Sequence, residues 1–189
     1  MAPAPSLMTV DDYFTKTPET LRPMELVYGL LRAADSPTPR HQQAVLQFAL
    51  ALNAHVSERR LGRVWLAPLD VVLDDERALI VQPDLFFVSN ERASIVQDRV
   101  RGAPDLVIEV LSPYPRIGGT DERVEWFEQY GVRECWLVRQ DQRSVSVIRF
   151  RAPNYLKRGP SNRREFGRAE RIESGVLPDF TLRLDDILG

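Results

Sequence analysis

The sequence predicts a mixed α/β (α+β) fold in which a central mixed β-sheet is flanked by helices. A long amphipathic helix and a second, shorter helix alternate along the chain with short runs of β-branched and aromatic residues. The order helix, strands, helix, strands within one chain is typical of this class. At 189 residues the chain is long enough for one hydrophobic core and short for two, so we expect a single domain over residues 1–189.

The first third of the chain contains three predicted elements. Thr9 is a typical N-cap, and a short helix is predicted from there through Phe14. Residues 25–31 form a predicted strand that can turn at Gly29. Apolar residues then recur at spacings of three and four between residues 41 and 60, which predicts an amphipathic helix of roughly five turns. The apolar positions of this helix are Val45, Phe48, Ala49, Leu52 and Val56.

Short strands follow, with one more helix between them. Apolar and β-branched runs predict strands at residues 64–66, 70–73, 84–88 and 106–111. Residues 123–130 are predicted to be helical because Val124, Phe127 and Tyr130 share one face. Residues 135–138 and 144–150 resemble a hairpin around residues 141–142. The regular alternation in its second strand predicts that one face of that strand is exposed.

The C-terminal part divides into two segments after a core that spans about residues 24–150. Residues 151–171 are polar, rich in arginine and poor in large apolar side chains, so we expect a mobile loop there. Residues 172–189 regain apolar content from Leu177 onward, and we expect this segment to pack against the core.

Composition narrows the class of protein. The net charge is -2, which by itself does not indicate nucleic-acid binding. Of the 25 basic residues only Lys16 and Lys157 are lysines; arginine suits bidentate phosphate contacts, although codon bias is the simpler explanation. The single Cys135 excludes an internal disulfide. The chain has no apolar run of transmembrane length and no signal-peptide pattern, so we expect a cytoplasmic protein without membrane contact.

Two of the predicted core strands each contain an acidic residue: Asp84 in "IVQPDLFFVSN" and Glu109 in "GAPDLVIEVLSP". A buried carboxylate is unfavourable unless it is paired, hydrogen-bonded or metal-bound. If the two strands are neighbours, the acids can hold Mg²⁺, which polarises a phosphoryl oxygen and activates an attacking water. In the alternative interpretation, Asp84 caps a strand after Pro83 and Glu109 pairs with an arginine. Asp105 is more typical of a cap or turn.

Several motifs occur in an order that is specific to one family. They are "MELVYGLL", "SPTPRHQQAVLQFALAL", "APLDVVL", "VQPDLFFVS", "GAPDLVIEVLSP" and "YGVRECWLV". With these motifs the chain resembles the Uma2 family (DUF820) of the PD-(D/E)XK nuclease superfamily, from about residue 24 to residue 150. The resemblance implies a restriction-endonuclease-like core and an endonuclease that hydrolyses phosphodiester bonds, with DNA as the substrate.

The resemblance also implies a set of site residues. Asp84 would be the aspartate of the superfamily motif and Glu109 its acidic partner, with the backbone carbonyl of Val110 as a further ligand to Mg²⁺ or Mn²⁺. Glu25 would match an acid from the N-terminal element that lies near the metal; its alternative role is a salt bridge at a strand edge.

The chain departs from the superfamily motif at the lysine that follows the glutamate by two residues, where it has Leu111. Uma2-like sequences often supply this lysine from the following helix, and the matching position here is Arg123. Arginine retains the positive charge but cannot act as a general base, because it does not lose its proton in proteins. The alternative function is therefore a catalytically decayed nuclease-fold module that binds nucleic acid or a protein partner without cleavage.

Further residues are candidates for supporting roles around this site. His41 is a possible auxiliary residue at the site, although capping of the long helix is the favoured role. Asp70 is a possible partner of a site residue, although pairing with an arginine is favoured. Arg40, Arg99, Arg101 and Arg116 are candidates for contacts to the DNA backbone. A homodimer is possible, with residues 135–138 as an interface strand.

Overall fold

The computed structural model describes residues 7–18, 22–33, 36–111, 119–151 and 162–188. Three α-helices lie in these ranges: α1 (Val10–Lys16), α2 (Pro39–Arg59) and α3 (Thr120–Tyr130). Short 3-10 helices cover Asn90–Ile95 and Leu184–Asp186. None of the helices in the described ranges has the length and apolar character that crossing a membrane requires.

The described strands form three sheets. In chain order the strands are β1 (Met24–Val27), β2 (Leu30–Ala33), β3 (Gly62–Leu66), β4 (Val71–Asp74), β5 (Leu79–Val81), β6 (Leu85–Ser89), β7 (Val100–Arg101), β8 (Leu106–Leu111), β9 (Glu134–Arg139), β10 (Ser144–Arg149), β11 (Asn162–Phe166), β12 (Arg171–Glu173) and β13 (Thr181–Arg183). The largest sheet has the order β11-β10-β9-β8-β6-β3, the second has the order β2-β1-β5-β4-β7, and β12 pairs with β13.

The largest sheet is mixed, as the sequence predicted. Strands β8 and β9 are parallel, and the chain between them contains α3. The other neighbouring strands of this sheet pair antiparallel. A parallel pair needs a crossover connection, and a helix is the usual one. The carboxyl ends of β8 and β9 therefore lie at the same end of the sheet.

Both faces of the largest sheet are covered. Against one face pack α2 and the C-terminal segment, and Phe48, Trp136 and Phe180 meet there through ring contacts. Against the other face pack α3 and the five-stranded sheet, around Trp126 and Leu137. Trp136 and Leu137 are consecutive in β9 and point to opposite faces, as the pleat of a strand requires.

Helix α2 has clear start and stop signals. The Thr38 hydroxyl accepts a hydrogen bond from the His41 amide at 3.2 Å, and Pro39 is the first helical residue. After the helix, β3 runs very close to β6. A Cβ atom added to Gly62 would lie 2.1 Å from the carbonyl oxygen of Val88, so only glycine permits this approach.

The C-terminal segment packs against the core. Ile172, Leu177, Phe180 and Leu184 are buried in the same cluster as α2. The fully buried carboxylate of Glu134 accepts hydrogen bonds from Ser174 Oγ at 2.8 Å and Gly175 N at 2.6 Å. This carboxylate ties the segment to the start of β9.

Three predictions about the strands were wrong. All but the last residue of β10 is buried, because both of its faces are covered: Val145 and Val147 pack in the cluster of α2, and Ile148 packs in the cluster of α3. Strands β11 and the start of β12 fall within the predicted mobile loop; residues 152–161 of that loop lie outside the described residues. Residues 135–138 cannot form an interface strand, because β9 is internal to the sheet and these side chains are at most 1% exposed. The sequence reasoning also missed β5 and β7.

Candidate active site

The two predicted acids lie on neighbouring strands. Asp84 immediately precedes β6 and Glu109 lies in β8. These strands pair antiparallel with Leu85 opposite Ile108, so the next pair outward is Asp84 and Glu109. Both residues are on the face of the sheet that α3 covers, because Phe86 and Val107 on the same face pack in the α3 cluster. The condition on which the metal-site interpretation depends, that the two strands are neighbours, is therefore met.

Asp84 is held in place through one of its carboxylate oxygens. Its Oδ2 accepts a hydrogen bond from the backbone N–H of Val110 at 2.8 Å. The same oxygen lies 3.1 Å from Nε2 of His41, at the start of α2. Since Thr38 caps the helix, the predicted capping role of His41 was wrong, and its ring instead contacts the predicted metal ligand. Its Nδ1 is buried, with no hydrogen-bond partner among the described residues.

Arg123 lies between the other two acids. Its Nη2 and Nε donate to Oε1 of Glu109 at 2.6 and 3.1 Å, and its Nη1 donates to Oε2 of Glu25 at 2.7 Å. All three side chains are largely buried: the exposed fractions are 14% for Arg123, 12% for Glu109 and 4% for Glu25. A guanidinium suits this position because its planar fork can bond two carboxylates at once.

The site contains three acidic side chains, Asp84, Glu109 and Glu25, but only one guanidinium group, that of Arg123. Burial raises the pKa of Glu109 to about 7; the guanidinium of Arg123 opposes this rise, and the carboxylates of Asp84 and Glu25 add to it. Burial alone lowers the pKa of Arg123, but Glu109 and Glu25 raise it above its ordinary value. Near neutral pH, Glu109 is therefore the carboxyl group whose ionisation a further cation would favour.

A hydrogen-bonded chain supports Glu25 from the five-stranded sheet. The backbone N–H of Gln82 donates to Oε1 of Glu25 at 2.7 Å, and the Gln82 side-chain amide donates to Asp70 at 2.8 Å. The Tyr13 hydroxyl also donates to Asp70, at 3.0 Å. The partners of Asp70 among the described residues are thus a tyrosine and a glutamine rather than the predicted arginine. Gln82 therefore connects Asp70 to Glu25.

The sequence reasoning missed Gln82, although a signal was present. Gln82 is a polar residue in the apolar run "LIVQPDLFF", two positions before Asp84. The same criterion that identified Asp84, a polar group inside a buried run, applies to it. Its Oε1 is buried and has no hydrogen-bond partner within the described part of the chain.

The arginines predicted to contact DNA are only partly described. Arg40 donates to the backbone carbonyl of Gln140 at 2.7 Å and so ties α2 to the end of β9. Arg99 lies over the ring of Phe14, and Arg101 pairs with Asp75 at 3.4 Å. Each of these three has a partner within the chain, and Arg116 lies outside the described residues.

The donor set can be compared with the needs of a divalent cation. Within the described ranges, no group of three or more His, Cys, Asp or Glu side chains is arranged to hold a metal ion. Mg²⁺ does not need such a cage, because it keeps several waters and binds through one or two carboxylates. The hydrogen bonds between described residues reach Asp84 at Oδ2 and Glu109 at Oε1. The other oxygens, Oδ1 and Oε2, receive no hydrogen bond from a described residue, so they are available to a hard cation.

Comparisons with known proteins agree with this fold. The model of the Uma2 family, described as "Putative restriction endonuclease", matches residues 10–185. The fold is similar to a crystal structure of a "putative nuclease belonging to DUF820" from Anabaena variabilis ATCC 29413, with 21% identity and a TM-score of 0.76. That match covers 96% of this chain and 97% of the other, and at this identity it shows the fold alone. No curated protein matches this chain.

Proposed function

Because the chain belongs to the Uma2 family, we propose that it is a metal-dependent endonuclease that hydrolyses phosphodiester bonds in DNA. One observation carries the proposal: Asp84 and Glu109 occupy paired positions on neighbouring strands, and the guanidinium of Arg123 lies against Glu109. Two carboxylates and a cation at one end of a sheet form a suitable set for a phosphodiester that must be bound, oriented and attacked by water.

We assign the metal site to Asp84 and Glu109, with the carbonyl of Val110 as a third ligand and Mg²⁺ or Mn²⁺ as the ion. When bound, such an ion polarises a phosphoryl oxygen and lowers the pKa of a coordinated water. The Val110 N–H orients Asp84 through Oδ2. One residue therefore supports the site with its N–H and, in this proposal, also with its carbonyl.

Arg123 supplies the positive charge in place of the lysine of the superfamily motif. Its guanidinium can stabilise the negative charge that develops on the phosphorus oxygens, and it cannot accept a proton. Glu25 accepts from Nη1 of Arg123, while Glu109 accepts from Nε and Nη2, and the Gln82 N–H donates to Glu25. Glu25 is thus a positioning residue for Arg123, while His41 positions Asp84.

Cleavage of supercoiled plasmid tests the proposal. The wild-type protein should nick the plasmid in the presence of Mg²⁺ or Mn²⁺, and nicking should stop when EDTA is added. The Asp84→Asn variant should lose at least about 100-fold of this activity, since loss of a metal ligand costs more than loss of a residue that only orients one. Asp75→Asn is the matched control, because Asp75 is an exposed acid whose partner is Arg101.

Two results would overturn the proposal. Nicking that persists in EDTA, or that is equal in the Asp84→Asn and Asp75→Asn variants, would exclude this metal site. A folded wild-type protein that binds DNA and Mn²⁺ but cleaves nothing would instead show a decayed nuclease.

A further inference from the structure

Two arginines converge on one buried hydroxyl group outside the site described above. Arg139 Nη1 donates to Oγ of Ser146 at 2.8 Å, and Arg163 Nη2 donates to the same oxygen at 3.3 Å. Ser146 is fully buried, Arg139 is partly buried and Arg163 is exposed. Two like charges thus lie against a single neutral acceptor.

Neither arginine has an acidic partner in the part of the chain that the structure describes. Their neighbours differ in this respect: Arg149 pairs with Glu134 at 3.2 Å, and Arg164 pairs with Glu170 at 3.5 Å. The nearest acid on the strand ladder is Glu165, directly opposite Ser146. Its carboxylate accepts from the Ser144 hydroxyl at 2.9 Å and forms no ion pair with Arg139 or Arg163.

The strand register places this pair on the same face as Glu109. Glu109 is opposite Leu137 in β9, and Leu137 is opposite Ser146 in β10. Cross-strand partners share a face, and neighbouring strands are about 4.8 Å apart, so the backbone of Ser146 lies about 10 Å from that of Glu109. Arg139 is the last residue of β9 and is opposite Leu111, two residues after Glu109.

These observations indicate an anion site beside the candidate active site. Two adjacent guanidinium groups without a carboxylate between them repel each other, and a phosphate would remove that repulsion. The planar fork of arginine matches phosphate oxygens in a bidentate geometry. Successive phosphates on one DNA strand are about 3.4 Å apart along the helix axis, so a site about 10 Å from Glu109 suits a phosphate a few nucleotides from the one that is cleaved.

We propose that Arg139 and Arg163, arranged on the Ser146 hydroxyl, bind a backbone phosphate of the DNA substrate. The proposal rests on the proposed function, and it assigns a DNA contact to residues that have no part in metal binding. Arg163 supplies the exposed contact, and the partly buried Arg139 lies on the side of the pair nearer to Glu109.

The test is DNA binding measured by fluorescence anisotropy. A labelled duplex is titrated with protein in EDTA, where cleavage is absent, at several salt concentrations. The Arg139→Gln/Arg163→Gln double variant should bind about tenfold more weakly, and the slope of log K against log salt should fall by about 1, since one phosphate contact contributes about 0.9. Arg164→Gln is the matched control, because it is the next residue on β11 and points to the opposite face.

The single Arg163→Gln variant controls for misfolding, because this side chain is exposed. It should also weaken binding, and its slope should fall by no more than that of the double variant. Equal affinities and slopes for the double variant, the Arg164→Gln control and the wild type would overturn the phosphate site and leave the proposed nuclease function standing. Absence of any duplex binding by the wild-type protein in EDTA would also overturn the phosphate site, while plasmid nicking with Mg²⁺ or Mn²⁺ remains the separate test of the proposed function.

Discussion

Replacement of Arg123 by alanine tests whether its guanidinium neutralises the buried acids. The variant keeps Glu25 and Glu109 but removes the cation that contacts both of them, at 2.7 and 2.6 Å. Breaking a buried ion pair by removal of one partner costs about 3–5 kcal/mol, because a buried charge is left uncompensated. We therefore expect the free energy of unfolding at pH 8 to fall by about that amount.

The pH dependence follows from the raised pKa of Glu109. A carboxyl group whose folded pKa lies above its unfolded value stabilises the folded state at low pH, and this contribution is lost as the pH rises through the folded pKa. For the wild type, that window runs from the ordinary glutamate pKa of 4.5 to the folded pKa of about 7. Without Arg123 the pKa of Glu109 in the folded state rises further. At pH values above that pKa, each additional unit lowers the free energy of unfolding by about 1.4 kcal/mol. The difference in free energy of unfolding between Arg123→Ala and the wild type should therefore be smaller at pH 5.5 than at pH 8.

The measurement is urea unfolding followed by circular dichroism at the two pH values, with Arg101→Ala as the control. Arg101 pairs with Asp75 at the surface, and loss of such a pair costs about 0–1 kcal/mol. A cost for Arg123→Ala below about 1 kcal/mol, equal at both pH values, would refute the reasoning that Arg123 balances the buried carboxylates.

Three further predictions concern the ion and the fold. The affinity for Mn²⁺, measured by calorimetry, should rise with pH up to about 7 and then level off as Glu109 loses its proton, whereas Glu109→Gln should show a flat profile; a flat wild-type profile would contradict this. Glu134→Gln should lower the free energy of unfolding, measured in urea, by about 2–4 kcal/mol, because the buried carboxylate accepts hydrogen bonds from Ser174, Gly175 and Trp136. The control is Glu165→Gln at an exposed position, and an equally small change in both variants would contradict this prediction. Gly62→Ala should lower the stability in thermal unfolding by more than about 2 kcal/mol, because the added Cβ would collide with the Val88 carbonyl. In the control Gly167→Ala, the Cβ would meet only the side chain of Glu170, so little stability should be lost. Equal losses would show that the approach of β3 to β6 can relax.

The acids were predictable from the sequence because burial makes a charged residue conspicuous. Asp84 and Glu109 each interrupt an apolar run, and a strand pair with one buried face restricts the register strongly. Gln82 carried the same signal. The position of Arg123 came from the resemblance to Uma2-like sequences, and the structure places it against Glu109.

Other features depend on contacts that no local pattern encodes. Strand β11 has four exposed residues followed by Phe166, so it lacks the alternation that identifies strands. The buried serines of β10 suggested an exposed face, whereas β11 lies alongside β10 and arginines from both neighbouring strands cover Ser146. Strand β7 is two residues long and pairs in parallel with β4, so only the tertiary fold defines it.

Calorimetric titration of Mn²⁺ tests the central proposal most directly. We expect the wild-type protein to bind the ion at pH 8, Asp84→Asn to bind it at least about tenfold more weakly, and Asp75→Asn to match the wild type. If the wild type and Asp84→Asn bind Mn²⁺ equally, or if neither binds it while both are folded, Asp84 and Glu109 do not form a metal site.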